Sequence, residues 1–206
     1  MIVLINPNSD TIAAARTIAI QHGWPHRSCS TPVVAAAGAD DIVLHAADHP
    51  AVADLTWSPL ATEAPVLALA PAAWIARTDW AARGYVAAID DRDLAASLPG
   101  VVAEWSHAAR LATIDRLGDT FGIAPVAGLL RGLRHALEVA IGASDDPALL
   151  AAEAHRIAGL AGTLGFVALG RHWLRVAEGG RAPTAATRRA TAHALATLDR
   201  ASFTGF

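Results

Sequence analysis

The residue best placed for chemistry is His155, because of its neighbours. In the stretch EAHRIAGLAGTLGF (153–166), helical spacing puts Ala148, Ala151, Ala152, Ala158, Gly159 and Gly162 on its face, three, four or seven residues away. None is larger than a methyl group. An imidazole nitrogen is a nucleophile, and a phosphoryl group can reach it in line only if the donor's rim comes close to the helix. Bulky neighbours would block that approach. Gly159 and Gly162 also weaken a helix, by about 1 kcal/mol each relative to alanine, so their place on this face needs a reason. A close helix-packing surface, with His155 hydrogen-bonded inside it, is the competing account.

The helix that must carry this face has a clear start, with Pro147 in the first turn behind Asp145 or Asp146. Leu150, Ile157, Leu160 and Leu164 form its core face, and His155 points roughly the opposite way. Glu153 falls near the apolar side with nothing in the pattern to explain it. Around this segment, 101–118, 123–142, 146–164, 167–178 and 183–201 all show helical spacing, with turns at FG (121–122), GASDD (142–146), LG (164–165) and EGGRAP (178–183). Val126, Leu130, Leu133, Leu137 and Ile141 form one stripe of the second segment. Short connections between helices predict an antiparallel four-helix bundle over residues 101–206.

Before Pro99-Gly100 the pattern is different. IVLI (2–5), DIVLHA (41–46), PVLAL (65–69) and YVAAI (85–89) are continuous apolar runs, as buried parallel strands require, and HRSCS (26–30) is a weaker fifth. Helices are expected between them: one from Ser9 or Asp10 to about His22, a brief one at Thr31-Pro32, then Asp48–Trp57, Pro71–Arg83 and one from Asp91 or Asp93. Alternating strand and helix over residues 1–100 predicts a five-stranded parallel α/β domain with right-handed crossovers. The fold class is thus α/β followed by all-α.

Composition narrows the function. A net charge of −3 argues against a nucleic-acid binder driven by bulk electrostatics, and no apolar run is long enough to cross a bilayer. One cysteine, Cys29, and an N-terminus unlike a signal peptide lead to the expectation of a cytoplasmic protein. All 16 basic residues are arginine, so the chain has no lysine. His22 with His26, and His45 with His49, have metal-binding spacing, but the first pair spans Gly23 and Pro25 and the second follows a strand. NPNSDT reads as an ordinary helix cap, GLAGTLG lacks the GK[ST] of a phosphate loop, and Trp74 and Trp80 read as packing under the sheet.

AHRIAGLAGTLG (154–165) resembles histidine-containing phosphotransfer (HPt) domains, four-helix bundles that relay phosphoryl groups between receiver domains. The likeness rests on the Ala-His pair, an aliphatic two residues later, Gly159 four later, small residues at 161 and 162, and the closing Leu164-Gly165. LGRHWLRVAEGG (169–180) is similar to the family's next helix. The resemblance implies His155 as phosphoacceptor and Ala151, Ala152, Ala158, Gly159, Leu160 and Gly162 as clearance and docking area. It also implies receiver domains as partners and no cofactor of the chain's own, Mg²⁺ being expected in the partner receiver. Where the family commonly carries lysine, three residues after the histidine, this chain has Ala158.

The first hundred residues resemble a response-regulator receiver stripped of its chemistry. The receiver's acidic residues after strand one correspond to Asn6, Pro7 and Asn8, its phosphorylated aspartate to Ala46, its hydroxyl to Ala70 and its lysine to Ala88. Asp48 lies two residues beyond the expected place. This implies a pseudo-receiver in front of an HPt bundle. The expectation is therefore a phosphorelay intermediate whose catalysis the partner supplies. The alternative is a module that binds or sequesters receivers without phosphate turnover, and an independent metabolic enzyme is a distant third.

Overall fold

The runs IVLI, IVLHA and VLALA become the three central strands of a parallel sheet in a computed structural model that describes residues 1–5, 9–29, 37–47, 63–142, 146–179 and 182–201. The chain divides into two compact units, Met1–Ala103 and Glu104–Phe206. In the first, the strands are β1 (Ile2–Ile5), β2 (His26–Cys29), β3 (Ile42–Ala46), β4 (Val66–Ala70) and β5 (Ala87–Asp90). Their order is β2-β1-β3-β4-β5, every pair parallel. Every residue of β1, β3 and β4 is buried, while the edge strands β2 and β5 are partly exposed. This explains why the central strands read as unbroken apolar runs and HRSC does not.

Helix α1 (Asp10–Gln21) follows β1 with Ser9 at its N-cap and buries Ile12, Ala15, Ile18 and Ala19. The helix expected over Pro71–Arg83 is only the short α2 (Ala72–Ile75). Beyond it Asp79 Oδ1 accepts from the Ala82 amide at 3.0 Å, and Gly84 takes a positive φ of 89°. A side chain competing for backbone amides favours a turn over helix continuation. The helices expected at Thr31-Pro32 and Asp48–Trp57, together with Asn6, Pro7, Asn8, Asp48 and His49, lie outside the described residues.

Pro99-Gly100 does not end the first unit. Helix α3 (Leu94–Glu104) runs through both residues. Proline withdraws one amide from the helical ladder, but Leu94, Leu98 and Val102, four residues apart on one face, are all buried and hold the helix in register. The expected helix over 101–118 is therefore the end of α3 and the start of another. The chain breaks at Trp105, and Ser106 caps α4 by accepting from the Ala109 amide.

The second unit contains α4 (His107–Phe121), α5 (Ile123–Gly142), α6 (Pro147–Thr163), α7 (Val167–Gly179) and α8 (Ala185–Arg200). Helices α5, α6, α7 and α8 contact one another in sequence, α8 closes back on α5, and α4 packs against α5 and α8. The described residues thus hold one helix more than the four-helix expectation. Val126, Leu130, Leu133 and Leu137 are buried as their spacing predicts, but Ile141 is half exposed at the end of α5. Among the described residues the largest fully buried side chain is Trp173, whose Nε1 donates to Thr191 Oγ1 at 3.0 Å. No described helix is long and apolar enough to cross a membrane.

The contrast along α5 is testable by urea unfolding. Leu137→Ala should lower the stability of the helical unit by about 2–5 kcal/mol, whereas Ile141→Ala should stay within about 0.5 kcal/mol of the parent.

Candidate functional site

Both ends of α6 are built to stop where they do. Asp146 at the N-cap accepts from the amides of Ala148 and Leu149 at 3.0 and 3.1 Å, and Pro147 follows at the first position, where its missing amide costs nothing. At the other end the Phe166 amide donates to the Ala161 carbonyl at 2.7 Å and the Gly165 amide to Gly162 at 3.3 Å. Gly165 has a φ of 81°. This is a Schellman turn, which needs a residue that tolerates the left-handed region.

Between these ends the core face is Leu150, Ala154, Ile157, Ala161 and Leu164, all buried. Leu160, expected there, is half-buried, its Cδ1 lying 3.9 Å from where a Cβ on Gly132 of α5 would sit. His155 is exposed, and no described residue offers it a hydrogen bond or ion pair. Ala148, Ala152, Gly159 and Gly162 are exposed beside it, and Ala151 and Ala158 are half-buried at the edge.

The glycines separate the two accounts of this strip. A Cβ built on Gly159 or on Gly162 meets no atom of the described residues within 4 Å. A Cβ on Gly170 of α7 would lie 3.3 Å from the Ala158 carbonyl oxygen, 3.6 Å from Ala161 Cβ and 3.7 Å from the Gly162 amide nitrogen. The tight contact between α6 and α7 therefore uses a glycine of α7, and the glycines beside His155 face open space. The packing account, with His155 hydrogen-bonded inside an interface, does not hold.

Glu153 finds its explanation three residues on. Its Oε2 accepts from Arg156 Nε at 2.9 Å and Nη2 at 2.7 Å, so the arginine next to His155 is committed to an ion pair. Two further residues, which the helical pattern alone did not single out, flank the strip. Val167 and Leu174 of α7 lie three residues before and four after Gly170, hence on the α7 face turned toward α6, and both are exposed. Leu149 adds a third exposed apolar side chain near the start of α6. A hydrophobic residue in a helical pattern reads as core, so only solvent exposure identifies these three.

The alanines at the receiver-like positions of the first unit bring no chemistry together. Ala46 and Ala70 end β3 and β4 and are fully buried. Ala88 does not end its strand; it pairs with Ala68 inside β5, which continues to Asp90. On the opposite face of β3, buried His45 is 2.8 Å from the Tyr85 hydroxyl through Nδ1, and Trp80 packs edge-on against Tyr85. His22 caps α1 and stacks on Trp24, and His26, the first residue of β2, has Nδ1 3.1 Å from the Trp24 carbonyl oxygen, so this pair spans the turn between helix and strand. The described residues contain no group of three or more His, Cys, Asp or Glu able to hold a metal ion.

A second histidine cluster was not visible in the sequence because its members come from three helices. His107 and His193 stack with centroids 4.1 Å apart, His107 Nδ1 lies 2.6 Å from Thr197 Oγ1, and Trp105 packs between His193 and His172. His172 and His193 are buried, so this cluster belongs to the interior of the helical unit, whereas His155 and His135 of α5 are exposed. No family model, curated protein or solved structure matches the chain.

If the strip is open, its two kinds of glycine must respond oppositely to a methyl group. Gly159→Ala should raise unfolding stability by about 0.5–1 kcal/mol, the helix-propensity gain with nothing to clash against. Gly170→Ala should lower it by about 1–3 kcal/mol, the cost of overpacking against the α6 backbone. Equal effects of the two would mean that the strip is packed.

Proposed function

We propose that the chain is a histidine phosphotransfer protein in which His155 accepts a phosphoryl group from an aspartyl phosphate on a separate receiver domain and passes it to another. The observation that carries this reading is the open strip: an exposed imidazole without a partner among the described residues, flanked by glycines whose missing side chains leave space that no neighbour fills. In the transfer, a ring nitrogen attacks phosphorus, the aspartyl O–P bond breaks, and the carboxylate leaves with the electron pair. The other ring nitrogen, exposed on the same side chain, releases its proton to water. Val167, Leu174 and Leu149 supply apolar area around the histidine for the receiver to cover. The receiver brings its own acidic pocket and Mg²⁺.

On this reading the first unit is a pseudo-receiver. Its strand order, with β1 and β3 adjacent at the centre, is that of the flavodoxin-like doubly wound sheet. Buried alanines stand at the positions where a receiver needs a carboxylate and a hydroxyl. The protein then works in the cytoplasm as a relay between partners, with its first unit taking no phosphate itself.

One observation favours a second reading, a module that docks receivers without turning over phosphate. Position 158 is alanine, and Arg156 is held by Glu153, so no cation of α6 stands free beside His155.

The experiment is a transfer assay with purified protein and a panel of ³²P-labelled receivers. Label should move to the parent, be acid-labile and base-stable, and be absent from His155→Ala. Gly159→Leu should fold normally yet slow transfer by about 10- to 100-fold, as ångström-scale misplacement of reacting groups does. Receivers that bind while no label moves would establish the docking module instead.

A further inference from the structure

The glycines that clear the space beside His155 weaken the helix that carries it. Gly159 and Gly162 fall in the last turns of α6, and Thr163 bonds its hydroxyl back to the Gly159 carbonyl at 3.1 Å, a local bond that competes with the helical ladder. Something outside α6 must hold this end.

Arg110 does so. From the first turn of α4 its guanidinium reaches two carbonyl oxygens, donating through Nη1 to Gly165, the left-handed residue of the α6 Schellman turn, and through Nε to Glu104 at 3.2 Å. Thr113, one turn further along α4, closes on the same place: a Cβ on Gly165 would lie 2.9 Å from its Cγ2 and 3.7 Å from Arg110 Nη1. Glu104, the last residue of α3 and the first of the helical unit, is also gripped through its carboxylate, which accepts from Arg171 Nη2 of α7 at 2.6 Å. Desolvation pushes the Arg110 pKa below the ordinary arginine value, with the Glu104 carboxylate pulling it back up. The group stays cationic at any working pH. A cation facing the final carbonyls of a helix is on the favourable side of its dipole.

We propose that Arg110 is a positioning residue for His155, clamping the glycine-weakened carboxyl end of the histidine helix to the point where the chain enters the helical unit. The clamp makes the helix end, the α6–α7 turn and Glu104 move as one. The functional consequence rests on His155 being the phosphoacceptor; the clamp itself does not.

The test uses the full chain with Arg110→Met, which keeps the apolar stem, and Arg110→Lys, which keeps the charge but not the fork that spans both carbonyls. Hydrogen exchange is read at the amides of Leu164, Gly165 and Phe166, and transfer from a labelled receiver is read as affinity and maximal rate separately. Arg110→Met should accelerate exchange at these three amides by about tenfold or more, the scale of one lost charge-assisted hydrogen bond, with amides in the middle of α5 and α8 unchanged. It should lower the maximal transfer rate by a similar factor at unchanged receiver affinity, and Arg110→Lys should fall between. Parent-like exchange at residues 164–166, or an equal rise throughout the helical unit, overturns the proposal, because the first means no clamp and the second a general stabiliser. If the parent itself takes no phosphate from any receiver, the relay reading fails while the exchange measurement still decides the clamp.

Discussion

The arrangement around His155 depends on how closely α7 can approach the backbone of α6. Gly170 allows that approach: with only hydrogen in place of a side chain, it lies within van der Waals reach of the Ala158 carbonyl and Ala161. On its other edge α6 is held by Leu160 against Gly132 of α5. Ala154, Ile157, Ala161 and Leu164 are completely buried behind these contacts. A helix fixed along both edges and its back needs no large side chain on its outer face. The outer face is free to be small, and His155 stands there alone.

The first unit is organised by a different constraint. Parallel strands covered on both sides must be apolar throughout, and β1, β3 and β4 satisfy this at every residue. At the buried carbonyl ends of such strands, small apolar side chains are favoured, since an unpaired carboxylate there would be costly to desolvate. Ala46 and Ala70 fit that environment. The one polar side chain that β3 does bury, His45, is matched with the Tyr85 hydroxyl.

What was legible in the sequence followed from local rules. The central strands, the Asp146 cap, the Leu164-Gly165 ending of α6 and the buried stripe from Val126 to Leu137 all appear within a residue or two of where periodicity places them. What was illegible is tertiary. Pro99-Gly100 signals a break, yet Leu94, Leu98 and Val102 are buried firmly enough to carry α3 past it. Pro71–Arg83 has helical composition, yet its helix ends at Ile75 and the Asp79 side chain caps a separate turn at Ala82. The bond from Arg110 to Gly165 joins residues 55 apart in sequence, and no spacing rule reaches that far. The openness of the strip itself was also beyond the sequence, because a row of alanine and glycine looks the same whether it faces solvent or another helix.

The lack of lysine next to His155 can be weighed on the same physical terms. Position 158 lies on the edge that α7 covers, its carbonyl oxygen 3.3 Å from where a Gly170 Cβ would be, and Arg156 on the other flank is neutralised by Glu153. A phosphorylated His155 would therefore hold its negative charge in water without a cation from α6. At an exposed site a charge pair 4 Å apart is worth about 1 kcal/mol in bulk water, or roughly a fivefold change in an equilibrium by the usual conversion. A term of that size alters how long the phosphohistidine lasts and how strongly the equilibrium favours it, but it does not decide whether the bond forms. In-line access to the nitrogen is the larger requirement, because misplacing it costs orders of magnitude in rate. The open space at Gly159 and Gly162 is the observation on which the relay proposal rests, with or without the lysine.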